Sequence, residues 1–172
     1  MTILLLGADG QVGFELHRAL AALGPIVATT RKGVLPGSVD CERIDLADAD
    51  ALGTLIETTR PRWIVNAAAY TAVDRAEDEP ELAQRINGDA LAVIGAAAKR
   101  IDARVVHYST DYVFDGVELN SWRENDPTGP LGAYGRSKLA GEIALRESGA
   151  AHLTFRTAWV YGSRGANFLR TM

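Results

Sequence analysis

Gly7-Ala8-Asp9-Gly10-Gln11-Val12-Gly13 stands between the apolar run Thr2–Leu6 and a segment with helical periodicity. Thr2–Leu6 is too short for a helix, and its unbroken apolar character is that of a strand buried on both faces, as in a parallel sheet. Val12, Leu16, Ala19, Leu20 and Leu23 then share one face of a helix over Val12–Leu23, with Gly24 placed to cap it. Each glycine between the two has a distinct physical use. Gly7 permits the tight turn, Gly10 lets backbone approach a pyrophosphate, and Gly13 lets the helix pack closely on the strand. The helix N-terminus adds free N–H groups and the positive end of its dipole, and Gln11 and Val12 lie in its first turn. Three glycines alone are weak evidence. The strand before them, the helix after them and their N-terminal position together indicate a dinucleotide-binding turn. Asp9 would repel phosphate, so its side chain is expected to point away.

Outward from this turn, strands and helices alternate. Ile26–Thr30, Arg43–Leu46, Trp63–Ala67, Arg104–Ser109 and His152–Arg156 read as further strands, with Arg31–Val39 and Asp115–Pro130 as loops. Asp48–Thr58, the Ala-rich Glu79–Arg100 and Tyr134–Arg146 read as helices. The alternation predicts an α/β fold, a Rossmann-type doubly wound parallel sheet with right-handed crossovers, occupying residues 1–172 as one cofactor-binding domain.

The 172 residues are 47% hydrophobic and 23% charged, so the chain can bury a substantial core. Its 18 Lys and Arg against 22 Asp and Glu, net −4, argue against a nucleic-acid partner. No stretch approaches the roughly 20 apolar residues of a membrane helix, and the N-terminus lacks a basic region before its apolar run. A cytoplasmic protein is expected, and the single Cys41 fits a reducing compartment.

Tyr134 and Lys138 are spaced i, i+4 and therefore share a helix face. A phenol has an ordinary pKa of about 10, and a neighbouring ammonium is expected to draw it toward the range useful for proton transfer. Thr110 ends the strand that begins at Arg104, at the edge where open α/β sheets bind ligands, and its hydroxyl can bond a substrate carbonyl. The end of the second strand reads Thr29-Thr30-Arg31-Lys32. An acid there would hold the 2′-hydroxyl of NAD; two bases suit the 2′-phosphate of NADP(H) instead, with NADH still admissible.

The GxxGxxG spacing is characteristic of short-chain dehydrogenases/reductases. NAAAYTAVDRAE (Asn66–Glu77), HYSTDYVFDG (His107–Gly116), PLGAYGRSKLAGE (Pro130–Glu142) and FRTAWVYG (Phe155–Gly162) resemble the dTDP-4-dehydrorhamnose reductase family of the extended group. The resemblance runs over the whole chain. It implies NADPH-dependent reduction of the C4 keto group of a dTDP-sugar, the last step of dTDP-L-rhamnose synthesis. Tyr134 would act as proton donor, Lys138 would hold the nicotinamide ribose, and Thr110 would orient the carbonyl. It further implies cofactor contacts from Asp45, Leu46, Ala69, Tyr70, Thr71 and Tyr108, and substrate contacts from Asp111 and Trp159. Tyr70 stands where family members often carry His, and Thr30 where NADH-tolerant members carry an acid.

Some members hold Mg²⁺ partly through a glutamate matched by Glu15, although a solvated helix residue is the simpler account of Glu15. His17, His107 and His152 are too far apart in sequence for a metal motif. Family chains are roughly twice as long, so the C-terminal substrate domain is expected to be missing. Val160–Met172 begins a new loop and helix without a closing pattern, and a homodimer is allowed. The rival readings are a non-catalytic NADP-binding subunit and another sugar-nucleotide enzyme of this fold, an epimerase or dehydratase. For dehydration, Tyr112 occupies the position where an acid is needed.

Overall fold

All four side chains of β1 (Ile3–Leu6) are buried, which requires covering layers on both sides of the strand. In the computed structural model, which describes residues 1–117, 121–165 and 167–172, β1 lies inside a six-stranded sheet. The other strands are β2 (Ile26–Thr30), β5 (Glu42–Arg43), β6 (Trp63–Asn66), β7 (Arg104–Thr110) and β8 (His152–Thr157). Their order is β5-β2-β1-β6-β7-β8, all pairs parallel, with Ile3 opposite both Ile26 and Trp63. This is the doubly wound Rossmann order, in which the winding reverses at β1.

Helices cover both faces. Ile3, Leu5, Ala28 and Val65 pack with Leu16 and Leu20 of α1 (Gln11–Leu20). The opposite face, with Leu4, Leu6, Ile64 and Val105, packs under α2 (Ala49–Thr59), α5 (Ala90–Ile101) and α6 (Ala133–Glu147), through Leu52, Ile56, Leu91, Ile94 and Leu145. α1 stops at Leu20, and Leu23, expected on its apolar face, is exposed.

Three local features differ from expectation. The loop expected over Arg31–Val39 contains an antiparallel hairpin, β3 (Val34–Leu35) with β4 (Val39–Asp40), turned through Gly37 and Ser38 at positive φ. The strand expected over Arg43–Leu46 is shorter and earlier, Glu42–Arg43. Asp45 then accepts from the Ala47 N–H, and its carbonyl from Asp48 N–H, which turns the chain into α2. The helix expected over Glu79–Arg100 is α4 (Pro80–Gln84), a π-helical turn (Arg85–Asp89) and α5, preceded by the short α3 (Arg75–Asp78). The π turn swings Asn87 inward, a use of such bulges that periodicity does not reveal. Residues 118–120 of the loop expected over Asp115–Pro130, and residue 166, lie outside the described residues. Phe168–Thr171 forms α7. Among the described residues no helix is long and apolar enough to cross a membrane.

The β1–α1 turn is sterically closed at two points. Gly7 has φ +78°, and a Cβ on Gly13 would lie 1.9 Å from the Gly7 carbonyl oxygen. Gly53 in α2 is different, since its nearest neighbour would be Val93 Cγ1 at 3.8 Å. Gly13→Ala should therefore destabilise the fold by about 1–3 kcal/mol through forced backbone movement. Gly53→Ala should stabilise it by about 0.5–1 kcal/mol through helix propensity. Denaturant titration of the two variants checks the contrast.

Candidate functional site

The carboxyl ends of β1, β2, β6 and β7 open onto one crevice of about 730 Å³. Among the residues expected at a site, Gly7, Gly10, Gln11, Val12, Thr30, Arg31, Asp45, Leu46, Ala69, Thr71, Tyr108, Thr110, Asp111, Tyr134, Lys138 and Trp159 all line it. The structure therefore gathers residues spread over 150 positions of sequence. Three expected residues do not line it. Gly13 lies behind the turn as packing, Lys32 is exposed outside, and Tyr70 is turned away. Asp9, expected to point away, is exposed and does line the crevice.

Tyr70 has its own anchorage. Its N–H donates to Asn87 Oδ1 at 2.9 Å, its carbonyl accepts from Asn87 Nδ2 at 3.0 Å, and its hydroxyl donates to Glu79 at 2.7 Å. Asn87 Nδ2 also donates to Ser137 Oγ at 3.0 Å, tying the loop after β6 to α6. Glu77 adds a second tie by accepting from the Ala133 N–H at 2.6 Å, capping α6 from another element. α6 carries Tyr134 and Lys138, so these contacts set where both side chains stand. Its seat is close: a Cβ on Gly141 would lie 2.1 Å from the Asn87 carbonyl oxygen.

At the end of β2, Thr30 is buried, and its hydroxyl accepts from the Val34 N–H at 3.0 Å, tethering the hairpin. Arg31 is exposed and lines the crevice. Thr110 Oγ1 donates to Asp111 at 3.1 Å and accepts from the Tyr112 N–H at 3.2 Å. The Tyr112 and Tyr134 rings meet edge to face at 5.7 Å. Trp159 is exposed, at φ 50°, against Phe168.

The electrostatics depart from expectation. Burial pushes the Tyr134 phenol above its ordinary value, Thr110 draws it partly back, and the Asp111 charge raises it again. Lys138 is 2% exposed, and burial brings its amine down to about 8, against an opposing pull from Glu142. Its Nζ donates to the Tyr108 carbonyl at 2.7 Å rather than reaching the phenol. Glu142 pairs with Arg156 through two hydrogen bonds, at 3.0 and 2.7 Å. Burial thus makes the ammonium harder to hold than the i, i+4 spacing alone suggested, although it stays the major form below pH about 8.

Sequence reasoning gave no site role to His107, wholly buried between Asn66 and Lys138, and chose Thr110 over its neighbour Ser109, whose Oγ is buried in the crevice wall without a partner among the described residues. Strand alternation was the available signal, since Val105, His107 and Ser109 share one face of β7. Glu15 pairs with Arg18 at 2.9 Å on the surface of α1. No group of three or more side chains able to hold a metal occurs among the described residues.

Sheet order, glycine turn and crevice define a doubly wound domain of the Rossmann type. The chain belongs to the RmlD substrate binding domain family, whose model matches residues 1–172. It is 50% identical to the dTDP-4-dehydrorhamnose reductase of Burkholderia thailandensis over all of this chain and 54% of that one. The dTDP-4-dehydrorhamnose reductase structure from Clostridium acetobutylicum superposes with a TM-score of 0.89 at 34% identity, covering 99% of this chain and 57% of that one. The Bacillus anthracis enzyme, solved in complex with NADP, gives 0.88 at 32% identity, with the same coverage. The chain thus spans about half the length of the relatives it matches.

Asn87 is the structural tie between Tyr70 and α6. Asn87→Ala should cost at least about 1–3 kcal/mol, because it leaves the Tyr70 N–H and carbonyl unpaired. Tyr70→Phe should cost less, since only one part-buried hydroxyl contact, to Glu79, is lost. Thermal denaturation of both variants checks this order.

Proposed function

We propose that residues 1–172 form the NADP(H)-binding domain of a reductase that converts the C4 keto group of dTDP-4-dehydro-L-rhamnose to the alcohol, giving dTDP-L-rhamnose. The observation that carries this reading is that Thr110, Tyr134 and Lys138 line the same crevice as the glycine turn. A proton-transfer set and a pyrophosphate-binding turn are thereby brought to one switch point of the sheet. The family and the relatives' activity support the choice of sugar nucleotide.

The residues present fit a dinucleotide. Gly13 seats α1 against the Gly7 carbonyl, Gly10 at its N-cap has no side chain to cap it, and Ser109 Oγ is buried in the wall without a partner among the described residues. Gly7, Gly10, Gln11 and Val12 would hold the pyrophosphate, and Arg31 the 2′-phosphate, with Thr30 fixing the strand end beneath it. Asp45 and Leu46 would border the base, and Ala69, Thr71, Tyr108 and Lys138 the ribose and nicotinamide. The chemistry required of bound NADPH is delivery of a hydride to the keto carbon. Thr110 orients the carbonyl through its oxygen. Tyr134 gives its phenolic proton to that oxygen as negative charge develops there, and its raised pKa keeps the proton in place until then. Asp111 and Trp159 would meet the sugar nucleotide at the open side. Tyr70 and Lys32 do not line the crevice.

In the full-length protein, Tyr134→Phe should lower kcat by about 10²–10⁴, the usual contribution of general acid catalysis, and leave NADPH affinity nearly unchanged. Stopped-flow reduction of the dTDP-keto sugar measures the first and calorimetry the second; near-normal turnover would place the acid elsewhere. Arg31→Ala should weaken NADPH binding by about 1.5–3 kcal/mol, the value of a hydrogen bond to a charged group, and barely affect NADH. Lys32→Ala should have the smaller effect. Equal losses for both cofactors would remove the 2′-phosphate assignment.

A further inference from the structure

The sheet face beneath α2, α5 and α6 is apolar through Leu4, Leu6, Ile64 and Val105. At the carboxyl ends of β6 and β7 three enclosed polar side chains interrupt it: Asn66, His107 and Lys138, exposed by 1%, 0% and 2%. The proposed reaction uses Lys138 and gives His107 no role. Enclosing an imidazole there is costly unless its hydrogen bonds are specified, and they are.

Asn66 Oδ1 accepts from the Ala68 N–H at 3.2 Å, and this fixes the orientation of the amide. Asn66 Nδ2, a donor, is left facing His107 Nδ1 at 3.3 Å. His107 Nδ1 is therefore the acceptor nitrogen, and the neutral ring carries its hydrogen on Nε2. Burial and the Lys138 charge both hold the ring neutral. The Nε2–H then points at Lys138 Nζ, 3.5 Å away. When Lys138 is an ammonium, two donors oppose each other across that gap. When it is an amine, its lone pair can receive the Nε2–H while one of its own hydrogens still bonds the Tyr108 carbonyl.

We infer that His107, oriented by Asn66, is a positioning residue that sets the charge state of Lys138 by presenting an N–H to its nitrogen. The functional consequence rests on the reductase reading of Lys138; the pairing itself does not. The other groups around Lys138 are Tyr134 and Glu142 on α6, Tyr108 on β7, Asp111 beside Tyr134, and Arg156 on β8. Glu142 favours the ammonium, but Arg156 pairs with that carboxylate. The His107 N–H acts in the opposite sense. Burial brings Lys138 down to about 8; above that the ammonium loses its proton, and with it the cation that would border the ribose and the Tyr134 phenol. The pair places an alkaline ceiling on the activity.

The test is an NMR titration of the full-length protein without cofactor, labelled at lysine Nζ and in the histidine ring. In the wild type, His107 should show the Nε2–H tautomer, and Lys138 should titrate at about 8. The tautomer measurement needs no variant, and an Nδ1–H tautomer overturns the inference. His107→Gln keeps a partner for Asn66 and can turn an amide oxygen to the ammonium, so Lys138 should titrate about one unit higher. The alkaline limb of kcat against pH should rise by the same shift, with the acid limb unmoved. A folded His107→Gln protein with unchanged Lys138 titration overturns the inference, even if kcat falls, because a merely structural histidine would behave that way. If the titration moves as expected and no variant, nor the wild type, reduces the dTDP-keto sugar, the reductase reading fails and the pairing stands.

Discussion

Parallel pairing of β1 with β2 on one side and β6 on the other is the constraint from which the crevice follows. Both neighbours run in register from Ile3, so the carboxyl ends of all three strands reach the same edge. The chain leaves β1 for α1 on one face and returns through α5 and α6 on the other. The two windings part at that edge, and the gap between them is where ligands enter sheets of this kind. The glycine turn makes the parting tight, because any side chain at Gly13 would collide with the Gly7 carbonyl. The rest of the site is arranged around this gap. Thr110 ends β7 on one wall, and α6 brings Tyr134 and Lys138 down from above.

α6 is held by contacts that lie outside its own sequence. Glu77 caps its first turn, Asn87 from the π turn bonds Ser137, and Glu142 pairs with Arg156 on β8. The last pair is largely buried, and such pairs specify geometry more reliably than they add stability. Lys138 is thereby pressed into a polar notch with Asn66 and His107, where its amine is costly to charge, while burial holds the neighbouring phenol protonated.

β8 and the segment after it have a different surface. Leu153, Phe155, Trp159, Tyr161 and Phe168 are exposed, although Phe155 stacks on Tyr108 and Trp159 on Phe168. The walls of the crevice formed by β1, β2, β6 and β7 are closed by packing. Its side near Trp159 is formed by exposed aromatic groups.

Much was legible because it depends on local chemistry. An unbroken apolar run such as Ile3–Leu6 can only be a strand covered on both faces, three glycines between strand and helix have one economical use, and residues at i and i+4 of a helix share a face. These features determined the doubly wound fold, the position of the turn and the joint orientation of Tyr134 and Lys138. Other features depended on neighbours distant in sequence, and only the tertiary structure decided them. Periodicity treats Pro80–Ile101 as one helix; the π turn is stabilised by what Asn87 meets, which is Tyr70 and Ser137. The short β5 and the β3–β4 hairpin follow from Thr30 and Asp45 bonding backbone that an isolated pattern does not reveal. Lys138 beside Tyr134 suggests an activating cation by spacing alone, yet burial brings its amine down to about 8, and its Nζ lies 3.5 Å from Nε2 of His107, 31 residues away. Charge state depends on how much water and which dipoles surround a group, and that is a property of the assembled fold.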